Sequence, residues 1–174
     1  MEIAWSKTRK SFPLSDKKII KKTLINGLGW AALILVGHVA AWFTLKSNGA
    51  DRWLLPATAA AMLILAIFLN LSYQFQKWYF AVYFYDLTDD YVVIRKGPIT
   101  PHEITIPYER IQDVYVDQDL LDRFFGLYDV HLSSATASSG LEAHIDGVDK
   151  VGMEGLREIL LETVKNRISK AKKV

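Results

Sequence analysis

The chain has 174 residues, enough for one ordinary domain and a smaller element, and 51% of them are hydrophobic. It contains no cysteine, which excludes a disulfide framework, thiolate metal sites and thiol catalysis. The net charge of +2 conceals segregation: residues 1–22 carry +5, 23–77 carry +2, 78–149 carry −9 and 150–174 carry +4, a profile unlike that of a nucleic-acid-binding domain.

Residues 1–22 are polar and basic, with Lys7, Arg9, Lys10, Lys17, Lys18, Lys21 and Lys22. Ser15-Asp16 marks a helix start, and the four lysines that follow share one face at helical spacing. Because an apolar run comes next, the segment is expected to be a juxtamembrane cluster touching anionic head groups, each charge worth about 1 kcal/mol.

Thr23 to Leu45 carries no permanent charge, and its 23 residues would span about 34 Å as a helix, enough for a hydrocarbon core of about 30 Å. Trp53 to Tyr73 is a second such run, with Pro56 tolerated in its first turn. The seven-residue connection Lys46–Arg52 predicts an antiparallel transmembrane hairpin over 23–73. Seven basic residues precede the first run and two lie in the connection, so both termini are expected on the cytoplasmic side of the cell membrane. Trp53 and Tyr73 bracket the second run as interfacial aromatics would. Gly27, Ala31, Gly37 and Ala41 on one helix, and Ala57, Ala60 and Ala61 on the other, allow close backbone approach. Asn26 and Asn70 are expected to meet across the hairpin. His38 is the one residue in the runs suited to proton chemistry; lacking an acidic partner there, it reads as packing or hydrogen bonding.

Beyond Gln74 the composition changes. Trp78–Tyr85 reads as a strand by propensity, Leu87-Thr88-Asp89-Asp90 as a turn, and Tyr91–Lys96 as a strand ended by Gly97-Pro98. Ile104 and Ile106 alternate inward on a third strand. Ile111, Val114 and Val116 mark a fourth, with Asp113 and Asp117 toward solvent. Asp119 stands as N-cap before a helix of about two turns, and Gly126 closes it in the left-handed conformation. Leu127–Leu132 returns as a strand, residues 133–140 read as a loop, and Leu141–Ile145 as a last strand. From about Asp149 a helix carries Leu156, Ile159, Leu160, Val164 and Ile168 as one apolar stripe. The tail from Lys165 to Lys173 holds five bases.

Two segments, Ile106-Pro107-Tyr108-Glu109-Arg110-Ile111 and Arg123-Phe124-Phe125-Gly126-Leu127, resemble the signature of YdbS-like bacterial pleckstrin-homology (PH) domains. The resemblance covers residues 78–168. It implies a membrane-anchored α+β protein: two spans, then a bent antiparallel sheet or partial barrel closed by a C-terminal amphipathic helix, with 169–174 as a basic tail. It brings no catalytic residue.

No constellation points to catalysis, a cofactor or a metal. The serines at 133, 134, 138 and 139 lack a nucleophile-elbow setting, and there is no nucleotide fingerprint. His102-Glu103, His131 and His144-x-Asp146 could share a face, but without metal-ligand spacing they read as surface histidines. Arg110 and Arg123 lie among Glu109, Asp113, Asp119 and Asp122, and read as a clamp fixing the short helix to the strand. Arg95-Lys96 beside Gly97 is the one place for a small basic pocket. The expected function is non-enzymatic: spans surrounded by membrane lipid hold an acidic β domain at the cytoplasmic surface, for a protein partner or a second copy. Lipid sensing by analogy with other PH domains is the alternative, and a subunit of a membrane enzyme or transporter a third.

Overall fold

The computed structural model describes residues 6–134 and 143–171. It divides into two compact units, one comprising the chain up to Lys18 together with everything from Trp78 onward, the other Ile19–Lys77. Of the loop expected over 133–140, Ser133 and Ser134 are instead the end of a strand (Tyr128–Ser134); the rest of it and the start of the strand expected at Leu141 lie outside the described residues, as do residues 1–5 and 172–174.

The unit Ile19–Lys77 belongs to two long helices, α2 (Lys17–Ser47) and α3 (Leu54–Val82). Their contacts run in opposite order along the two chains. Asn26 Nδ2 donates to Ser72 Oγ at 3.3 Å, Trp30 stacks on Phe68 at 4.3 Å, and His38 Nε2 lies 3.3 Å from Thr58 Oγ1. The hairpin is therefore antiparallel, and Gly27 is the small residue that admits Leu69 closely. Asn26 meets Ser72 rather than Asn70, the register being shifted from the expected pairing. His38 is half-buried and has a hydroxyl partner in Thr58. Both helices are long and apolar enough to cross a membrane, and their most apolar windows are not buried by the protein itself.

In the other unit, Ser6 caps α1 (Lys7–Ser11) by accepting from Arg9 N at 2.8 Å. Helix α3 runs through to Val82, so Trp78–Val82 is helical and not part of the expected strand. No glycine or proline interrupts the run after Pro56, and propagation of the helix overrides β propensity. Strands β1 (Phe84–Leu87), β2 (Tyr91–Lys96) and β3 (His102–Pro107) form one antiparallel sheet. Strands β4 (Ile111–Asp117), β5 (Tyr128–Ser134) and β6 (His144–Val148) form another. The expected single bent sheet is thus two three-stranded sheets, joined through a 3-10 turn at Tyr108–Arg110. A bulge between Ile111 and Asp113 shifts the alternation, which is why Ile111 and Val114 can both face inward.

Helix α5 (Lys150–Ala171) packs on β4, β5 and β6. Leu156 and Leu160 are buried, while Ile159 remains 40% exposed, so the apolar stripe is narrower than its spacing suggests. Val92, Ile94, Ile104 and Ile106 fill the first sheet's core side, and Val130, Leu132, Ile145 and Val148 the second's.

Three buried tyrosines tie the elements together through their hydroxyls. Tyr83 donates to the His144 carbonyl at 2.7 Å, Tyr85 to the Phe12 carbonyl, and Tyr108 to the Thr88 carbonyl at 2.9 Å. Burial pushes the Tyr108 phenol up to about 12 and raises Tyr83 and Tyr85 as well, the nearby Asp146 charge adding to the effect at Tyr83. All three therefore stay protonated donors at neutral pH. Asp86 behaves oppositely. Burial alone would raise its carboxyl, but hydrogen bonds from Thr8, Ser6 and the Leu87 amide outweigh it and hold the group ionised, pinning α1 to β1.

The short helix α4 (Leu120–Phe125) has the expected ends. Asp119 accepts from Asp122 N at 2.7 Å, and Gly126 sits at φ +67°. An added Cβ at Gly126 would meet nothing within 4 Å, so the whole cost of substitution is backbone strain. Gly126→Val should therefore destabilise more than Gly126→Ala, by about 1–2 kcal/mol in total, because a β-branched residue fits the left-handed region worst. Thermal melts of the purified chain in detergent check this, and equal stability of both variants with the parent would contradict it.

Candidate functional site

Of the residues singled out in the sequence, Arg95 and Lys96 are the cations nearest to a basic pocket. Both are occupied by partners. Arg95 Nε lies 3.7 Å from Glu103 Oε2 and its guanidinium stacks 5.1 Å over the Phe84 ring. Lys96 Nζ lies 3.3 Å from Asp146 Oδ2 and 5.2 Å over the Tyr83 ring. A carboxylate and a ring at each cation leave little reason for a phosphate to displace them.

Glu109 and Arg110 are exposed on the 3-10 turn, and Arg123 is exposed on α4. The expected arginine clamp is corrected: the cation that fixes α4 is Lys18. Its side chain is 2% exposed, and Nζ lies 2.6 Å from Asp129 Oδ1 on β5 and 3.3 Å from Asp122 Oδ1 on α4, the latter 1% exposed. Asp129 Oδ1 also accepts from Gly147 N at 2.6 Å, and the Gly147 carbonyl accepts from Ser15 N at 2.8 Å. Gly147 has φ +70°, and a Cβ there would stand 2.7 Å from Lys18 Cβ, so both conformation and space demand glycine. Leu14 bridges Val148, extending the second sheet with the N-terminal segment.

The reading of Lys17 to Lys22 as one head-group-facing cluster fails for the same reason. Lys18 and Lys21 are buried, and only Lys17 of the first pair is exposed, its Nζ donating to the Phe125 carbonyl at 3.2 Å. The charge balance changes with it. Residues 1–18 bring +3 to a unit whose 78–174 portion carries −5, leaving −2 rather than the −9 of the strand region alone.

The histidines partly converge. Tyr115, His131 and His144 lie side by side on β4, β5 and β6 as a stack, with centroids 4.8 and 5.0 Å apart. His131 Nε2 is 3.2 Å from Asp117 and His144 Nε2 is 3.1 Å from Asp146. His102 is on β3, in the other sheet. Among the described residues no group of three or more His, Asp or Glu could hold a metal ion.

Tyr108 lines an open groove of about 510 Å³ between the β1–β2 turn and α5, with Leu87, Thr88, Asp89, Ile159 and Arg167 also contributing. Arg167 latches its far end, Nη2 lying 2.7 Å from Asp90 Oδ1 and donating to the Asp89 carbonyl. The lining mixes apolar Leu87 and Ile159 with polar Thr88, Asp89, Thr163, Asn166 and Arg167. Neither the groove nor Lys18 was evident from the sequence. The groove joins residues about 80 positions apart, and Lys18 pairs with acids 104 and 111 positions away.

Breaking the buried triad from one side should be costly. Lys18→Met takes a buried cation away from both Asp122 and Asp129, and a loss of about 3–5 kcal/mol is expected. Adding Asp122→Asn should restore part of it. Chemical denaturation in detergent measures both, and a double variant no better than the single one would show that the pair is not coupled.

No curated protein and no solved structure matches the chain. The family model of the bacterial PH domain matches residues 25–171, which include most of α2, all of α3 and the signature segments. The chain belongs to the bacterial PH-domain family.

Proposed function

We propose that this protein is a non-enzymatic, membrane-anchored PH-like module, held by two spans in the cell membrane with both termini on the cytoplasmic side. It docks a protein partner, or a second copy, through the groove between the β1–β2 turn and α5. The groove carries the reading: it is the open concavity lined by the signature residue Tyr108, and its lining mixes apolar Leu87 and Ile159 with Thr88, Asp89 and Arg167. The pairing of Arg95 with Glu103 and of Lys96 with Asp146 argues against head-group recognition at the β2–β3 turn. Net charge contributes less than the strand region alone suggested, since the folded unit carries only −2. The seven basic residues before the first apolar run support the orientation.

A photoreactive residue at Ile159 in native membranes should give protein adducts, whereas one at Val151, exposed at the start of the same helix, should not. Lipid adducts alone at Ile159, or equal yields at both positions, would count against the docking groove.

Orientation is tested separately in this cysteine-free chain. An impermeant thiol reagent added to intact cells should label Ser47→Cys and spare Asp113→Cys. The reverse pattern would overturn the topology.

A further inference from the structure

Three of the strands at the margins of the two sheets are covered or guarded. At the β6 edge, Tyr83 Oη accepts from Asp146 N at 3.2 Å and donates to the His144 carbonyl, and Leu14 bridges Val148. At the β1 edge, Thr8 Oγ1 accepts from Leu87 N at 3.1 Å. Strand β3 follows Pro101 and ends in Pro107, and proline guards an open edge because it offers no amide. Strand β4 is different. It has seven residues with no proline and no lysine, and among the described residues nothing pairs with its outer side. Its bulge lies at the start, leaving Asp113–Asp117 in unbroken register with β5.

That register identifies the groups left open. In a strand the N–H and C=O of one residue leave on the same side, and successive residues alternate. Leu132 N donates to the Ala143 carbonyl at 2.8 Å, so Leu132 turns its backbone toward β6. His131, one residue earlier, turns toward β4 and forms the hydrogen-bonded pair with Tyr115. Tyr115 is thereby satisfied by β5, as are Asp113 and Asp117 two residues to either side. Val114 and Val116 point an amide and a carbonyl each to the outside, where no described residue meets them.

The side chains beside the edge describe its occupant. Val114 and Val116 lie on the inner face, paired with Leu132 and Val130. Those partners are 1% and 0% exposed, whereas the two valines are only half-buried, since no further strand flanks them. On the outer face stand Asp113, Tyr115 and Asp117, all exposed, and β4 carries no cation. Asp117 faces the His131 ring at 3.2 Å and is still 59% exposed. A second copy of β4 fits poorly. Antiparallel self-pairing over Asp113–Asp117 would set Asp113 of each strand against Asp117 of the other, and like charges directly opposite destabilise a sheet. A strand with apolar residues toward Val114 and Val116, and lysine or arginine beside the two aspartates, satisfies both faces.

We propose that the outer edge of β4 takes, as an added strand, an extended segment of a partner protein in which basic residues alternate with apolar ones. Backbone bonds at Val114 and Val116 hold the segment, and Asp113 and Asp117 select its charge. The surface stands independently of the groove beside Tyr108 and of any membrane orientation.

Amide hydrogen exchange of the full chain in nonionic detergent, followed residue by residue by NMR, tests this with a synthetic peptide of alternating lysine and valine. The Val114 and Val116 amides should exchange more slowly with the peptide, while Tyr115, already bonded to β5, changes little. Asp113→Asn combined with Asp117→Asn changes two exposed side chains and should weaken peptide binding about fivefold, the worth of two opposite-charge pairs on a sheet. A peptide with glutamate in place of lysine should protect neither valine. Unchanged exchange at 114 and 116 under saturating lysine peptide would overturn the proposal. Equal protection by the glutamate peptide, or undiminished binding to the double variant, would remove the charge selection and overturn it as well. Protection spread equally over β3 would show non-selective adsorption, with the same consequence. Protection that grows with protein concentration in the absence of peptide would assign the edge to a second copy instead.

Discussion

An ammonium group buried among two carboxylates sets the plan of this protein. Lys18 gives up its water to sit between Asp122 and Asp129, and a pair so placed roughly breaks even in stability against an apolar substitute. What it supplies is position. One cation holds α4 through Asp122 and β5 through Asp129, and the Asp129 carboxylate reaches on to the Gly147 amide of β6. Because Gly147 has no side chain, the stem of Lys18 can lie against the backbone there. The same lysine is the second residue of α2, so the place where the chain leaves the domain is fixed by the domain's own core.

A topological consequence follows. The folded unit begins before the apolar hairpin and resumes after it, making the hairpin an insertion within the domain rather than an anchor joined to its front. Residues 78–168 alone would lack the Lys18 cation at Asp122 and Asp129, the bridge from Leu14 to Val148, and the Ser6 and Thr8 donors to Asp86. Both ends of the hairpin return to one unit.

Local patterns were readable in the sequence wherever one residue type answers one local need. Asp119 and Gly126 bracket α4 because an N-cap carboxylate and a left-handed C-terminus each have few chemical solutions. Strand β2 was legible from end to end, since Asp89-Asp90 and Gly97 interrupt it on both sides. Trp78–Val82 was misread because aromatic and β-branched residues signal strand only when no helix is already propagating through them. The clamp was illegible for a different reason. The signature placed two arginines among four acids, and nothing local says that the buried acid takes a lysine 104 positions away. Burial of a charge is a tertiary property, and Lys18 differs from its exposed neighbour Lys17 only in which side of a helix turn it occupies.

The same distinction governs the electrostatics. A segment at −9 suggests a surface that repels an anionic leaflet and attracts a basic protein, but charge acts through the folded unit. Once Lys7, Arg9, Lys10, Lys17 and Lys18, together with Glu2 and Asp16, are counted with the unit to which they belong, the balance is −2, and part of it is buried as ion pairs. At that balance an anionic leaflet would repel the domain only weakly. Nor are Arg95 and Lys96, each already facing a carboxylate, a site that would draw it there by head-group chemistry. With long-range charge nearly cancelled, short-range terms decide the domain's contacts: apolar area at Leu120 and Phe124 on one surface, and shape with mixed polarity in the groove beside Tyr108 on another. Area of that first kind is indifferent to head-group identity, whereas a groove with donors and acceptors discriminates among partners.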